Sequence, residues 1–524
     1  MGCHSSNKKY VISRQFFEMD KNKQVNECQT HNNKIKLEFT IQNCSVYNKY
    51  QIMAEFLYSN IQPFYTENIK TQQNFVTFNT YYICDFFFER QQLMRISVLK
   101  NGKNIGIISP FLGMIIGSKN STFNTNISPD KEELISISAE GLNSYNTLLR
   151  VNFLIKTTQN VNYNDINNKI SYIIKGNRNK VYESELISGN GQIKPANISV
   201  ELIEPQFDIC FLNSRKEEII TKTETINTFT EKYNKLYLSL HVNNDDYNIF
   251  NKSHLLNQYS LIDYIKAGVQ IRLSIGIDFT SSNYQINNPN SLHYISIGSL
   301  NNYEQAIKSC GMILSFYDYE QLFPVYGFGA NINSNEEPNM CFNINFQQDP
   351  EIYTIDNVIK EYRNCLKKIV LSGPIQFSPI IKKTIESIKG NHNILKYHIL
   401  MILTDGVIVD QKDTIDAIIE ASYLPFSLII IGIGNADFKE MIELYENTEF
   451  IISSKGFKKM RDVVHFVPFN IYKNNPDELA AKVLQEIPKQ IVEYFSLNKI
   501  TPINLSMARL RTQSMMSNSS IGLY

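Results

Sequence analysis

The hydrophobic pattern of the chain changes near residue 260, and this change limits the folds that the sequence can adopt. After that point, short apolar runs such as "VQIRLSIGID", "YHILMILTDG" and "PFSLIIIGIG" are separated by segments with helical spacing such as "TIDNVIKEYRNCLKKIV". Strands that alternate with helices predict a mostly parallel sheet covered on both faces. We therefore expect a doubly wound α/β domain at 251–500, with "PDELAAKVLQEIPKQIVEYF" as its last helix and a disordered tail at 501–524.

The pattern before residue 260 is that of β-strands. Segments such as "IKLEFTIQNC", "NFVTFNTYYICDFFFE" and "KLYLSLHVNN" mix apolar and polar residues and are joined by turns of Asn, Ser and Gly. Two antiparallel sandwiches in tandem account for this pattern. We expect all-β domains at 33–145 and 146–250, preceded by a flexible segment at 1–32.

Composition and cysteine spacing argue against several classes of function. Lys plus Arg and Asp plus Glu number 51 each, so the chain lacks the basic excess expected of a nucleic-acid-binding protein. The eight cysteines are dispersed without the close pairs of zinc sites or disulfide frameworks. No apolar run approaches the roughly 18 residues that span a bilayer. We expect a cytoplasmic protein without a nucleic-acid partner.

The first residues, "MGCHSS", match the acceptor pattern for N-myristoylation, with Gly2 as the acceptor and Ser6 at the favoured position. The neighbouring thiol of Cys3 is a candidate for palmitoylation. A single myristoyl chain attaches a protein only marginally, so the thiol and the nearby basic residues would act as a second signal. The alternative is a frayed terminus that matches a short pattern by chance.

Oxygen-bearing side chains follow two of the apolar strands predicted after residue 260. Asp278, Thr280 and Ser282 alternate at the end of the first strand, and Asp405 ends the second. Carboxyl ends of parallel strands meet at one edge of a sheet, where ligand sites form. Hard oxygen donors suit Mg2+, but Asp, Ser and Thr also commonly cap the helix that follows a strand. Spacing alone leaves both interpretations open.

The order of several segments resembles that of the copine family. "IGIDFTSSNYQINNPNSLHYI", "LFPVYGFGA", "LTDGVIVD" and "LPFSLIIIGIGNADF" carry the resemblance over roughly 255–500, and "CDFFFERQQLMRISVL" and "ISAEGL" carry a weaker one over 33–245. The resemblance implies two C2 domains followed by a von Willebrand factor A-type domain. It also implies calcium-dependent phospholipid binding and the recruitment of protein partners.

In A-type domains the strand-end motif is a metal-ion-dependent adhesion site. Its D-x-S/T-x-S pattern and later loop carboxylate match Asp278, Thr280, Ser282 and Asp405. The resemblance therefore implies a Mg2+ ion with an open coordination position for an acidic side chain of a partner.

The chain departs from the family in one loop of this site. The family usually has a threonine after "GP" in that loop, whereas this sequence has Ile375. An isoleucine cannot coordinate a metal. We expect either that water or Ser378 takes the place of the missing ligand, or that metal affinity is lowered.

The candidate calcium loops carry few carboxylates. In the first sandwich, "QNCSVYNKY" and "LKNGKNIGIISPF" contain no Asp or Glu, so we expect no calcium site there. Lys100 and Lys103 are candidates for contact with anionic lipid headgroups. In the second sandwich, Asp165, Glu204 and Asp208 are weak calcium candidates.

Two functional hypotheses follow. The first is a copine-like peripheral membrane adaptor on the cytosolic face of the plasma membrane or other membranes, serving signalling or trafficking. The alternative is a Mg2+-dependent enzyme that acts on phosphorylated substrates through Asp278 and Asp405. No nucleophile or general-base motif accompanies these residues, which favours a role in binding.

Overall fold

The computed structural model describes residues 33–507 with internal gaps. The gaps are 58–60, 143–145, 158–168, 177–178, 189–190, 193–195, 200–205, 233–234, 243–244, 333–336, 391–393 and 439–451. Gly2, Cys3, Asp165 and Glu204 lie outside the described residues. The described part forms two antiparallel β-sandwiches followed by an α/β domain, which is the predicted fold class.

The first sandwich consists of two antiparallel sheets with strand orders β5-β1-β10-β9 and β3-β2-β7-β8, to which β6 and β4 add by pairing with β1 and β2. The elements are β1 Asn33–Gln42, β2 Lys49–Phe56, β3 Phe64–Tyr65, β4 Ile69–Lys70, β5 Phe75–Thr77, β6 Tyr82–Phe86, β7 Met94–Lys100, β8 Lys103–Ile108, α1 Leu112–Gly117, β9 Thr122–Asn126 and β10 Leu134–Gly141. Alternate residues of β1, from Ile35 to Ile41, are fully buried, because successive side chains of a strand point to opposite faces.

The second sandwich has its own apolar core around Phe153, which makes edge-to-face contacts with Tyr172, Phe211 and Phe229. Its elements are β11 Asn146–Val151, β12 Phe153–Thr157, β13 Lys169–Gly176, β14 Asn179–Glu183, β15 Ile187–Ser188, β16 Gly191–Gln192, β17 Ala196–Ser199, β18 Phe207–Leu212, β19 Glu218–Glu224, α2 Ile226–Thr230, β20 Leu236–Val242, β21 Asp245–Asn251 and β22 His254–Gln258. Because β22 pairs with β11, this sandwich extends past residue 250, the boundary expected from the sequence.

The α/β domain is built on a sheet of order β26-β24-β23-β29-β30-β31, in which β24, β23, β29, β30 and β31 are parallel. Its elements are α3 Leu261–Lys266, β23 Gln270–Asp278, α4 Asn302–Leu314, β24 Leu322–Phe328, β25 Ala330–Asn331, β26 Phe342–Asn343, β27 Glu351–Tyr353, α5 Ile355–Leu366, β28 Val370–Leu371, α6 Ser378–Gly390, β29 Lys396–Thr404, α7 Gln411–Ala421, β30 Phe426–Gly432, β31 Val464–Pro468, α8 Phe469–Tyr472, α9 Pro476–Leu484 and α10 Ile487–Leu497. Helices cover both faces of the sheet. Along β29, Met401 belongs to the core on the side of α4 and α5, and Ile402 to the core on the side of α6 and α7.

Two expectations about the C-terminal region are wrong. The segment predicted as one last helix forms α9 and α10, which are separated at residues 485–486. Pro488 explains the break, because it lacks an N–H and its ring clashes with the carbonyl four residues earlier. The start of the tail expected to be disordered is ordered instead, since 502–507 are helical and Leu505 is fully buried.

The first sandwich packs directly on the α/β domain. The rings of Phe88 and Tyr317 stack with centroids 4.7 Å apart, and Tyr317 donates a hydrogen bond to the carbonyl of Phe88. At Gly117, the end of α1, a Cβ atom would lie 1.8 Å from the carbonyl oxygen of Phe316. The buried apolar residues of both domains form one continuous cluster. The first sandwich and the α/β domain therefore share a core.

Candidate metal centre

The predicted strand-end residues meet at one edge of the α/β sheet. Strands β23 and β29 are parallel neighbours with Ile277 opposite Leu403, so the next residues of each strand lie side by side. Asp278 is the last residue of β23 and is fully buried, and Asp405 directly follows β29 with 8% of its surface exposed. The topology therefore places both carboxylates at the carboxyl edge of the sheet.

Both carboxylate oxygens of Asp278 accept hydrogen bonds. Oδ1 accepts from the backbone N–H of Thr280 at 2.8 Å and from its Oγ1 at 2.6 Å. Oδ2 accepts from Thr404 Oγ1 at 2.6 Å and from the backbone N–H of Asp405 at 3.4 Å. These donors come from the loops after both strands, so Asp278 ties the two loops together.

The hydroxyls of Thr280 and Ser282 connect the two carboxylates. Ser282 Oγ donates to Asp405 Oδ1 at 2.8 Å, and the two hydroxyl oxygens lie 2.9 Å apart. Each hydroxyl carries one proton. If Thr280 donates to Asp278 and Ser282 donates to Asp405, no proton remains for the contact between the hydroxyls. The lone pairs of the two oxygens then face each other and repel. An additional proton or a bound cation would remove this repulsion.

The electrostatic environment of the two carboxylates also favours a cation. Burial raises the pKa of Asp278, and burial together with the neighbouring charge of Asp278 raises the pKa of Asp405 to about 7. Among the described residues, no lysine or arginine forms an ion pair with either carboxylate. The site therefore favours binding of a positive charge.

The donor set fits Mg2+. Two carboxylates and two hydroxyls supply hard oxygen ligands, and Mg2+ usually retains several waters at such a partial shell. The described part of the chain contains no group of three or more His, Cys, Asp or Glu side chains arranged to hold a metal. Any metal here would thus depend on the hydroxyls as well as on the carboxylates.

Helix capping does not account for these residues. Helix α7 begins at Gln411 with Asp410 at its N-cap, so Asp405 lies well before the helix. The short 3-10 helix at Ser281–Asn283 has Thr280 at its N-cap, and the Thr280 side chain makes no capping hydrogen bond. The alternative that the sequence left open lacks support from the local structure.

Ile375 lies beside the site, and Ser378 begins the helix that follows it. The Cδ1 atom of Ile375 is 2.7 Å from the position that a Cβ on Gly406 would occupy, so this apolar side chain covers the residue after Asp405. Ser378 begins α6, and its N–H donates to Asp410 Oδ2 at 2.8 Å. Within the described residues, no hydrogen bond joins the Ser378 hydroxyl to Asp278 or Asp405.

Sequence reasoning missed two residues that support Asp278. Thr404 precedes Asp405 in "LTDG", so its place at the strand end was readable. His293 lies in the irregular loop before α4, where no pattern identified it. Its Nε2 is 2.9 Å from the carbonyl of Asp278, and its Nδ1 is 2.7 Å from Tyr362 Oη. Burial lowers the pKa of His293 to about 3, so the ring is neutral, donates to the carbonyl and accepts from the tyrosine.

The remaining sequence candidates lie apart from this centre. Asp208 is on β18, where its Oδ1 accepts a hydrogen bond from Thr223 Oγ1 at 2.6 Å. Lys100 forms an ion pair with Glu133 at 3.1 Å, whereas Lys103 is exposed. Of the two lysines proposed for lipid contact, Lys103 is thus the more available.

Comparison with protein families matches residues 291–503 to the copine domain. We call the α/β domain the copine domain because of this match. The matched stretch includes β24, β29, β30, β31 and Asp405, whereas β23 with Asp278, and Thr280 and Ser282 after it, lie before its start. The doubly wound α/β fold expected from the sequence is therefore the fold of the region that contains this match.

Solved structures resemble the chain in parts. The calcium-bound tandem C2 domains of extended-synaptotagmin 2 match at 9% identity over 43% of this chain and 98% of that chain, with a TM-score of 0.18. The SpRpn10 VWA domain matches at 13% identity over 41% of this chain and 95% of that chain, with a TM-score of 0.25. Proximal thread matrix protein 1 from the mussel byssus, with a zinc-occupied MIDAS motif, matches at 17% identity over 43% of this chain and 48% of that chain, with a TM-score of 0.25.

Proposed function

We propose that the protein is a copine-like peripheral membrane adaptor that recruits protein partners through the edge of its copine domain. The copine domain and the two β-sandwiches agree in general with a membrane-associated adaptor. The observation that carries the proposal is the row of oxygen atoms from Asp278 through Thr280 and Ser282 to Asp405, in which the contact between the two hydroxyls has no proton when both donate to the carboxylates. Binding of Mg2+ there would offer a coordination position to a carboxylate of a partner.

The surface around the candidate metal ligands has features of a protein-binding site. Thr404 and the loop amides hold Asp278 in place. The side chains of Tyr284, Val407 and Val409 are 59%, 38% and 65% exposed, and all three lie in the loops that carry the ligands. Apolar residues around a polar centre are typical of protein interfaces. We therefore propose a partner segment in which an acidic side chain is flanked by apolar residues.

Membrane attachment forms the other half of the proposal. Acyl chains at Gly2 and Cys3 would provide the main anchor, since two lipid groups attach a protein stably where one does not. Lys103 in the first sandwich would add contact with anionic headgroups. We propose no calcium site in the first sandwich, and we place the protein on the cytosolic face of the plasma membrane or other membranes. Among the described residues, no helix has the length and apolarity to cross a membrane.

A binding role is also favoured over catalysis. Among the described residues, His293 contacts Asp278, and both of its imidazole nitrogens are engaged, one with the Asp278 carbonyl and the other with the Tyr362 hydroxyl. A general base must be able to reach the proton that it removes. We propose that the centre binds a ligand without turning it over, and an assay for hydrolysis of phosphorylated compounds in Mg2+ tests this point.

The central experiment compares wild-type protein with Asp278→Ala by calorimetry in Mg2+ and Mn2+ and by capture of partners with and without chelator. Asp413→Ala is the matched control, because Asp413 is an exposed acid on α7. We expect metal binding and metal-dependent capture by wild type and Asp413→Ala, and neither by Asp278→Ala. Capture that is insensitive to both chelator and Asp278→Ala would contradict a metal-dependent site.

A further inference from the structure

A short hairpin at residues 452–460 projects from the copine domain. Ile452 and Lys458 form an antiparallel bridge, and Ser453 and Phe457 are joined by a backbone hydrogen bond of 2.8 Å. The turn closes at Gly456, whose φ of +82° favours glycine. Ser453 Oγ also accepts from the N–H of Phe457 at 2.9 Å. The hairpin is therefore a defined turn held by its own hydrogen bonds.

Helix α7 holds the hairpin in place. The N–H of Ser454 donates to Asp416 Oδ1 at 2.7 Å, and the Ser454 hydroxyl donates to the other oxygen of the same carboxylate. Tyr423 Oη donates to the carbonyl of Lys458 at 2.7 Å, and the N–H of Met460 donates to Ser422 Oγ at 2.9 Å. These contacts attach both sides of the hairpin to the body of the domain, so its tip has a fixed direction.

The surface of the hairpin combines exposed apolar side chains with lysines. Phe457 is 59% exposed, Ile452 53% and Met460 46%. Lys455 and Lys458 are exposed, and neither forms an ion pair with any residue that the structure describes. Lys455 lies near the Asp416 carboxylate and helps to lower its pKa, so Lys458 is the less compensated of the two cations. Several exposed apolar side chains beside such a cation are typical of an interaction surface.

We propose that the 452–460 hairpin of the copine domain contacts an anionic phospholipid surface. Phe457 and Ile452 enter the boundary between headgroups and acyl chains, and Lys455 and Lys458 lie among the anionic headgroups. The combination of exposed apolar side chains with lysines favours an anionic bilayer over a protein partner, because apolar insertion and charge attraction act together at such a surface. This contact goes beyond the proposed function, since it involves neither the N-terminal lipid groups, nor the sandwiches, nor the Asp278 centre.

The contact would also orient the candidate metal centre. Helix α7 starts after the loop that carries Asp405, and its 11 residues span about 16 Å at 1.5 Å per residue. The hairpin is attached at Asp416 and beyond the far end of the helix, at Ser422 and Tyr423. A bilayer at the hairpin would therefore leave the edge with Asp278 directed away from the membrane, where a cytosolic partner can reach it.

Vesicle partitioning of the full chain tests the proposal. The protein is produced without acylation and assayed in chelator, so that neither the N-terminal lipids nor calcium contributes. The probes are phosphatidylcholine vesicles with and without phosphatidylserine. Phe457→Ser combined with Lys458→Glu is compared with Ile471→Ser combined with Lys473→Glu. This control also pairs an exposed apolar residue with a lysine, but it lies past the opposite end of β31.

We expect the hairpin variant to partition about tenfold more weakly to phosphatidylserine vesicles, a factor typical of losing a lysine and an inserted ring. The control variant should partition like wild type. Equal partitioning of the two variants would overturn the proposal, and so would wild-type binding that does not depend on phosphatidylserine. Loss of a captured protein with vesicle binding intact would equally overturn it, in favour of an acidic protein partner.

Fluorescence gives an independent readout, because the chain contains no tryptophan. Phe457→Trp introduces a single indole at the hairpin tip, and Ile471→Trp introduces one at the control position. Emission from the hairpin variant should shift to the blue on addition of phosphatidylserine vesicles, whereas emission from the control should not move. An unshifted hairpin spectrum in a folded protein refutes insertion. Because no metal is added, a negative result in this experiment would contradict the hairpin contact but would not bear on the proposed partner binding at the metal centre.

Discussion

Thr404 Oγ1 donates a 2.6 Å hydrogen bond to Asp278 Oδ2 and thereby joins residues that are 126 positions apart in the chain. The two residues end adjacent parallel strands, so the bond also fixes the loops that leave those strands. A hydrogen bond to an ionised acceptor is stronger than one between neutral groups. Thr404 thus supports the charged form of a carboxylate that burial alone would disfavour.

Removal of this hydroxyl should weaken the centre. Thr404→Val keeps the shape of the side chain but leaves Asp278 Oδ2 without its shortest hydrogen bond. Loss of such a supporting donor typically lowers metal affinity by about 10-fold or more, and it should lower the free energy of unfolding by about 1 to 3 kcal/mol. Calorimetry with Mn2+ and urea unfolding measure the two effects.

Thr414→Val is the matched control for that change. Thr414 is fully buried on α7, and its hydroxyl has no hydrogen-bond partner among the described residues. Its replacement should leave metal affinity unchanged and should not destabilise the fold. Equal metal affinities in the two variants would show that Thr404 does not support the centre.

Ile375 offers a test of the incomplete ligand shell. Ile375→Thr would place a hydroxyl beside Gly406 and should tighten metal binding, although the loss of buried apolar surface should cost about 1 to 2 kcal/mol of stability. Ile388→Thr makes the same replacement at a buried position of α6 and should affect stability alone. The whole chain is needed, because the copine domain shares its core with the first sandwich.

Calorimetry with Mg2+ and Mn2+ separates three outcomes for Ile375. Binding by wild type that tightens in Ile375→Thr supports an active site with a missing ligand. A heat of metal binding from Ile375→Thr alone would show that the wild-type site does not bind the metal. Heat from neither protein would remove the metal hypothesis for this chain.

The contact between the first sandwich and the copine domain should depend on Gly117. Gly117→Ala places a methyl group 1.8 Å from the carbonyl oxygen of Phe316, and a backbone atom cannot move away cheaply. We expect a loss of more than about 2 kcal/mol in the free energy of unfolding, as for overpacked interiors. Gly390→Ala is the control, because a Cβ there meets no atom within 4 Å. Similar urea midpoints for the two variants would argue against a shared core.

Acid should destabilise the copine domain through His398. Burial, with smaller contributions from Arg272 and Lys396, lowers the pKa of His398 from 6.5 to about 3. As the pH falls, His398 therefore becomes protonated in the unfolded chain at a higher pH than in the folded protein. The stability that His398 contributes is fully present above pH 6.5 and should be lost below it by about 1.4 kcal/mol per pH unit, in addition to a similar loss from His293.

His398→Gln should remove that part of the acid sensitivity, because glutamine stays neutral at every pH. The same replacement at the partly exposed His465 serves as control. Urea unfolding between pH 7 and pH 5 gives the comparison. A shallower slope that His293 still supports is expected in His398→Gln, and a slope as steep as that of wild type would show that His398 does not contribute.

The pattern of apolar residues was sufficient for the fold class. Alternation in β1 predicted a sandwich, because it buries one face of a strand. Continuous apolar runs in β23, β29 and β30 predicted a covered parallel sheet, because they bury both faces. The pattern was insufficient for the break between α9 and α10, where the single residue Pro488 overrides a helical period.

For the candidate site, the sequence by itself determined which oxygen donors end the two strands, since Asp278 and Asp405 follow apolar runs of a parallel sheet. The tertiary structure decided how those donors connect. The 2.9 Å contact between Thr280 and Ser282, the support from Thr404 and His293, and the position of Ile375 beside Gly406 depend on loops that pack against each other. Local sequence cannot encode such distances, because they are set by contacts between segments far apart in the chain.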